Sequence, residues 1–134
     1  MTLLLNHGVW YTFNMFELMV EKTFDAAHYL EGYNGKCSRM HGHTYRVQLC
    51  VAGPNLDPKF GMLMDFKDMK HALNSVVEQL DHRILNDVVK FQPTTEQMAK
   101  FFYDQLLPNI PKNVTLKKVV LWENPTNCAI YTPD

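Results

Sequence analysis

Three histidines and a cysteine carry the strongest chemical signal in this chain. Cys37-Ser-Arg-Met-His41-Gly-His43 sets two imidazoles two residues apart, and Phe24-Asp-Ala-Ala-His28 supplies a third upstream. Three imidazoles are the ligand set of a catalytic zinc that keeps one position open for water or substrate. In a strand, side chains two apart share a face, so His41 and His43 point together, and Gly42 leaves room for the backbone to approach a bound species. His-x-His on a strand with another histidine nearby favours a metal over unrelated polar residues. Imidazole suits zinc, and copper, iron and nickel also accept nitrogen ligands.

Cys37 has three readings. It closes a structural zinc site as a fourth ligand, acts as a base with its pKa lowered by a neighbouring cation, or is an inert thiol. Its place in a loop favours an accessible thiol. Asp81-His82 follows a helical stretch; a carboxylate beside a histidine can orient the ring and stabilise its charged form, but the pair also reads as ordinary polarity at a helix end. Glu123 shares strand parity with Val119 and Leu121. A carboxylate on an apolar face is either at a frayed end or presented to a ligand. His7 and His71 are assigned to solvent, and Cys50 and Cys128 to packing.

These residues need a scaffold. Residues 1–14 show no sustained period and read as an N-terminal extension, without fixed structure, before a single domain over 15–134. Phe16, Leu18 and Val20 alternate with Glu17, Met19 and Glu21, which predicts a first strand from Met15. A second follows from His43 to Val51 and ends at Gly53-Pro54. From Asp65, a plausible N-cap, Phe66, Met69, Leu73, Val76, Val77 and Leu80 form a helical stripe. Thr94 with Gln97 reads as a capping box ahead of Met98, Phe101, Phe102 and Leu106. Strands over 116–123 and 129–132 close the chain. The order β-β-α-α-β-β predicts an α+β domain with both helices on one face of an antiparallel sheet. Its open sheet edges need cover, and oligomerisation is one way to supply it.

The 134 residues are enough for one domain that buries roughly 65–70% of its unfolded surface. A net charge of −1 with no basic run argues against nucleic acid, and no apolar stretch is long enough for a membrane span. Leu3-Leu4-Leu5 lacks a basic leader and reads as no signal peptide. An odd count of 3 cysteines fits reduced thiols in the cytoplasm.

Together, Phe24-Asp-Ala-Ala-His28, Cys37-x-x-x-His41-Gly-His43, Gly61-Met-Leu-Met-Asp65-Phe66, Leu80-Asp81-His82-x-x-Leu85-Asn86, Pro93-Thr94-Thr95-Glu96 and Trp122-Glu123 resemble the 6-pyruvoyltetrahydropterin synthase superfamily, from about Met15 to Tyr131. The cysteine-to-His-Gly-His spacing is similar to that of its bacterial 6-carboxy-5,6,7,8-tetrahydropterin synthases of queuosine biosynthesis; the 6-pyruvoyl synthases typically have a longer one. The resemblance implies the tunnelling fold, with subunit sheets joined into a barrel, commonly a homohexamer of two trimers with active sites between subunits. It implies zinc on His28, His41 and His43, proton transfer by Cys37, an Asp81–His82 acid–base pair, and a pterin anchored by Glu123. The implied substrate is 7,8-dihydroneopterin triphosphate, giving 6-carboxytetrahydropterin, acetaldehyde and triphosphate. The alternatives are a 6-pyruvoyl synthase or related side-chain lyase, and a non-catalytic zinc-stabilised pterin-binding module. Retention of Cys37, Asp81 and His82 speaks against the module, which needs none of them. Asn124 stands where the family usually has threonine; asparagine still donates and accepts hydrogen bonds.

Overall fold

A computed structural model describes residues 2–4, 10–12 and 14–134 of the chain, with side chains from Asn14 onward. Half of the 1–14 extension, His7 included, lies outside the described residues. Within the extension, Thr2–Leu4 (β1) pairs antiparallel with Trp10–Thr12 (β2).

The site is built on two long strands, Phe16–His28 (β3) and His41–Gly53 (β4), paired antiparallel along their full length. Both exceed the lengths predicted from alternation alone. Val20, Phe24, Ala26 and His28 point to the core from β3, and Tyr45, Val47, Leu49 and Val51 do so from β4. On β4 the period-two pattern runs unbroken from apolar residues into the histidines, whereas on β3 the exposed Lys22 interrupts it.

The sheet order is β5-β3-β4-β6-β7, in which Arg83–Ile84 (β5) runs parallel to β3, and Thr115–Asn124 (β6) and Asn127–Tyr131 (β7) extend the antiparallel part. β5 pairs only with Ala26 and Ala27, so most of the outer edge of β3 has no strand beside it among the described residues. A short helix, Leu85–Val88 (α2), follows β5 at once. Neither β5 nor α2 has enough residues to show a period, and the sequence reading missed both.

Two twelve-residue helices, Phe66–Val77 (α1) and Thr95–Leu106 (α3), cover the core face of the sheet. Asp65 caps α1 by accepting from the Lys67 amide at 2.8 Å. Met69, Leu73, Val76 and Val77 are buried as the stripe predicts, whereas Phe66, on the first turn, is half exposed. Thr94 caps α3 by accepting from the Gln97 amide at 3.2 Å, but its own amide donates to Gln92, so only half of the predicted capping box forms. Met98, Phe102 and Leu106 close over β6, with Phe102 tilted against Phe24 at 5.7 Å. The fold is α+β, with both long helices on one face.

Phe102 has no exposed surface and joins α3 to β3. Phe102→Ala should cost about 3–5 kcal/mol of stability, read from the midpoint of urea denaturation. A loss near zero would mean that α3 does not close the core.

Candidate metal centre and cavity

The β3–β4 register sets His28 directly opposite His41 and Ala26 opposite His43. All three imidazoles therefore emerge on the core face, just beyond Phe24 and Tyr45. Their ring centroids lie 4.5 Å (His28–His41), 5.1 Å (His28–His43) and 4.9 Å (His41–His43) apart. Gly42 lies between two of them, yet a Cβ built on it would meet only the Ala26 carbonyl at an ordinary 3.6 Å.

The hydrogen bonds of the rings settle which nitrogens are free. His28 Nδ1 lies 2.8 Å from the Pro93 carbonyl and His41 Nδ1 lies 2.7 Å from the Arg39 carbonyl. A carbonyl only accepts, so each Nδ1 carries a proton and each Nε2 keeps its lone pair. Such partners fix both tautomer and ring orientation of metal-binding histidines. Burial pushes the pKa of His28 and of His43 down, which favours the neutral form a metal needs.

Glu123 reaches the same point. It lies on the core face of β6, where its parity predicts it, and its Oε1 is 3.0 Å from His43 Nε2. His43 Nε2 is nonetheless a buried nitrogen without a hydrogen-bond partner, because the approach is close but badly aligned. Ligand atoms of His28, His41, His43 and Glu123 all fall within 4.8 Å of one another. An orphaned buried nitrogen beside two imidazoles with free Nε2 atoms fits a divalent ion of zinc type.

Cys37 is not in that cluster. It sits half-buried in a 3-10 turn, Lys36–Ser38, and lines a cavity of about 500 Å³ together with His28, Tyr33, Thr95 and Glu123. Such a volume suits a bicyclic ligand with a short side chain. Of the three readings of Cys37, this placement disfavours the fourth ligand and keeps an accessible thiol beside the centre.

Several wall-building residues had no clear signal in the sequence. Asn86 exchanges two hydrogen bonds with the backbone of Tyr29, and Gln92 does the same with Glu31, so two amides act as a substitute strand along residues 29–31. Thr95, buried at the start of α3, donates its hydroxyl to Glu123 Oε2. A second threonine after the capping Thr94 was the available clue. Tyr45 is fully buried beneath the centre, its hydroxyl 3.4 Å from His28 Nδ1. Asn124 is spent elsewhere: its side-chain oxygen accepts from Thr126 and Asn127 and closes the β6–β7 turn.

Asp81 and His82 lie apart from this cavity. Asp81 Oδ1 accepts from the Asp25 amide at 3.0 Å and lies 3.0 Å from His82 Nδ1, while the His82 amide donates to the Asp25 carbonyl at 2.6 Å. The Asp25 amide, then His82, holds the Asp81 carboxyl below the usual carboxylate range. His82 takes φ 58°, a left-handed backbone that costs free energy in any residue with a Cβ. His82 borders a second cavity, whose wall includes Asp25, Gly42, His43 and Thr44; alternation puts the Asp25 and Thr44 side chains on the sheet face opposite the imidazoles. One chain thus brings Glu123 to the histidines and Cys37 to the cavity beside them, and orders Asp81 on His82, which lines a different cavity from Cys37 and shares it with His43.

His71 is exposed as expected; Cys50 is buried, but Cys128 is exposed and so is no packing residue. No helix among the described residues is long and apolar enough to cross a membrane.

His28→Ala and His43→Ala are each expected to weaken retention of a divalent metal by more than the roughly 10–100-fold that loss of an outer partner costs. Cys37→Ala should retain it, because its sulfur stands outside the cluster. Metal content after dialysis against a chelator reads all three variants. Loss of metal from Cys37→Ala would make the thiol a ligand.

Comparison with known proteins agrees with this geometry. Residues 17–134 match the family described as 6-pyruvoyl tetrahydropterin synthase. A 6-carboxy-5,6,7,8-tetrahydropterin synthase of Haemophilus influenzae is 30% identical, over 87% of this chain and 99% of its own length. That of Bacillus subtilis is 36% identical, covering 88% and 86%. A dihydroneopterin monophosphate aldolase of Pyrococcus furiosus is also 36% identical, covering 79% and 88%. Among solved structures, 6-pyruvoyl tetrahydropterin synthase of Caenorhabditis elegans superposes with a TM-score of 0.80 at 27% identity, over 92% of this chain and 99% of that one. A match that spans both long helices, the sheet and every residue of the centre leaves one conclusion: the chain belongs to the 6-pyruvoyl tetrahydropterin synthase family of pterin-processing enzymes, and has its α+β tunnelling fold.

Proposed function

We propose that the protein is a zinc-dependent 6-carboxy-5,6,7,8-tetrahydropterin synthase acting in queuosine biosynthesis in the cytoplasm. It converts 7,8-dihydroneopterin triphosphate and one water to 6-carboxytetrahydropterin, acetaldehyde and triphosphate. The observation that carries this reading is one cavity lined by a half-buried thiol, a metal-competent histidine and a carboxylate, Cys37, His28 and Glu123. The relatives from Haemophilus influenzae and Bacillus subtilis bear this name.

Zinc on His28, His41 and His43 would supply Lewis acidity to the side-chain hydroxyls of the substrate. Glu123 accepts hydrogen bonds from the pterin N–H groups and fixes the ring, a charge-assisted contact with a defined direction. Thr95 holds one of its oxygens, so the other is presented at a set angle. Cys37, on the cavity wall, takes a proton from the substrate side chain. Asp81 holds the proton of His82 Nδ1, which leaves Nε2 as the exchanging atom.

This chemistry needs a second copy of the chain. His82 is exposed and lines a different cavity from Cys37, which supports a site where Cys37 of one subunit meets Asp81–His82 of another. The open edge of β3 offers the backbone donors and acceptors for joining sheets, in keeping with a homohexamer of two trimers. A second reading is favoured by the Pyrococcus furiosus relative: a lyase that only removes the pterin side chain.

Mass spectrometry of products from 7,8-dihydroneopterin triphosphate tests the reading directly. A 6-carboxytetrahydropterin with acetaldehyde supports it; a 6-pyruvoyl product, or simple aldol cleavage, assigns the protein to a neighbouring activity. Unchanged substrate with retained pterin binding indicates a binding module. Cys37→Ala and His82→Ala should each lose at least about 100-fold in kcat. Mixed oligomers of the two inactive variants should regain activity, since some sites then carry both intact groups. No recovery would place the whole site within one chain.

A further inference from the structure

Glu123 is placed for more than a pterin. Its Oε1 stands 3.0 Å from a buried His43 nitrogen that makes no hydrogen bond, so the two atoms converge on a common point rather than on each other. Two ligands of one tetrahedral zinc, each about 2.0–2.1 Å from the ion, lie about 3.3–3.4 Å apart. Thr95, 7% exposed, takes up Oε2 and leaves Oε1 aimed at the imidazoles. Among the described residues no lysine or arginine forms an ion pair with this carboxylate; Arg46, which borders a neighbouring cavity with it, pairs with Glu21 instead. Among the described residues it is the only anionic side chain whose ligand atom lies with all three histidines.

Charge points the same way. Three neutral imidazoles leave a divalent ion with its full charge in a half-buried pocket, which is costly without an anion or water beside it. A carboxylate at the fourth position halves that charge. The same carboxylate is the pterin anchor, and one oxygen cannot serve both partners well.

We propose that Glu123 is the fourth ligand of the metal in the substrate-free protein and leaves it for the pterin ring when substrate enters. This rests on the reading of the site as a zinc-dependent pterin enzyme. The exchange opens a coordination position only when a pterin is present to use it. It also couples the two ligands: a pterin without the hydroxylated side chain, which takes Glu123 but gives the metal nothing back, lowers metal affinity. By linkage, metal lowers the affinity for that pterin by the same factor.

The test uses the full chain loaded with zinc or with cobalt(II), whose ligand-field absorption reports coordination, and unsubstituted pterin as probe. Glu123→Gln is expected to weaken zinc about 10–100-fold or more in chelator competition and to change the cobalt spectrum. Pterin should shift the wild-type cobalt spectrum towards that of Glu123→Gln. Thr95→Val, which keeps the carboxylate but frees it, should weaken zinc less, and Thr95→Ser should restore it. If Glu123→Gln binds zinc as tightly as wild type with the same cobalt spectrum while losing pterin, the inference fails and the pterin-anchor reading stands. If the wild-type chain takes up neither metal, both fail. Matching circular dichroism for the variants separates these outcomes from misfolding.

Discussion

His28 faces His41 across the β3–β4 ladder, and this register is the constraint on which the rest of the centre depends. Side chains along a strand alternate between faces, so a slip of one residue would send one partner's histidine to the opposite face. What prevents the slip is the core itself. Phe24 stacks on Tyr45 with centroids 5.0 Å apart, and Val20, Val47, Leu49 and Val51 are buried on the same face. The apolar half of each strand sets the register; the polar end inherits it. Stability and site geometry therefore come from one ladder and change together when it is disturbed.

Placing imidazoles and a carboxylate at the end of an apolar face has a cost, since buried polar groups need partners. The chain meets it with backbone groups. Carbonyls of Pro93 and Arg39 receive the Nδ1 protons of His28 and His41, and both come from irregular segments beside regular elements. Pro93 cannot donate from its own nitrogen, and its carbonyl, just ahead of α3, is free to turn inward. Thr95 then anchors Glu123 from the first turn of the same helix. α3 is thus both the lid of the core and the outer support of the centre.

The regular elements were legible because their periods were long. The stripes of α1 and α3, the Asp65 and Thr94 caps, and the order of the four main strands follow from apolar spacing. The shared face of His41 and His43 and the core-face parity of Glu123 were legible for the same reason, whereas the place of His28 was not, because the readable alternation of β3 stops short of it. β5 and α2 were not, being two and four residues long. Nor were the clamps by Asn86 and Gln92, which reach across 57 and 61 residues and leave no local pattern. Cys128 was misplaced because β7 is an edge strand, where alternation no longer separates buried from exposed.

β3 links the two halves of the chemistry through its two sets of groups. Its core-face side chains end in His28, while the backbone of Asp25 holds Asp81 and His82 at the strand edge, with Thr44 donating to the Asp25 carboxylate from the neighbouring strand. Backbone bonds place the dyad without using any side chain that a substrate would need. Cys37 and His82 line separate cavities of the same chain, the second of them at the β3 edge where Arg83–Ile84 pairs. An edge that joins a second sheet can bring them together, and the left-handed turn at His82 projects the imidazole outward from that edge. On the function proposed above, strain at His82 and the part of the β3 edge that has no strand beside it among the described residues have the same origin: a site shared between copies has to present half of its groups at the surface of each.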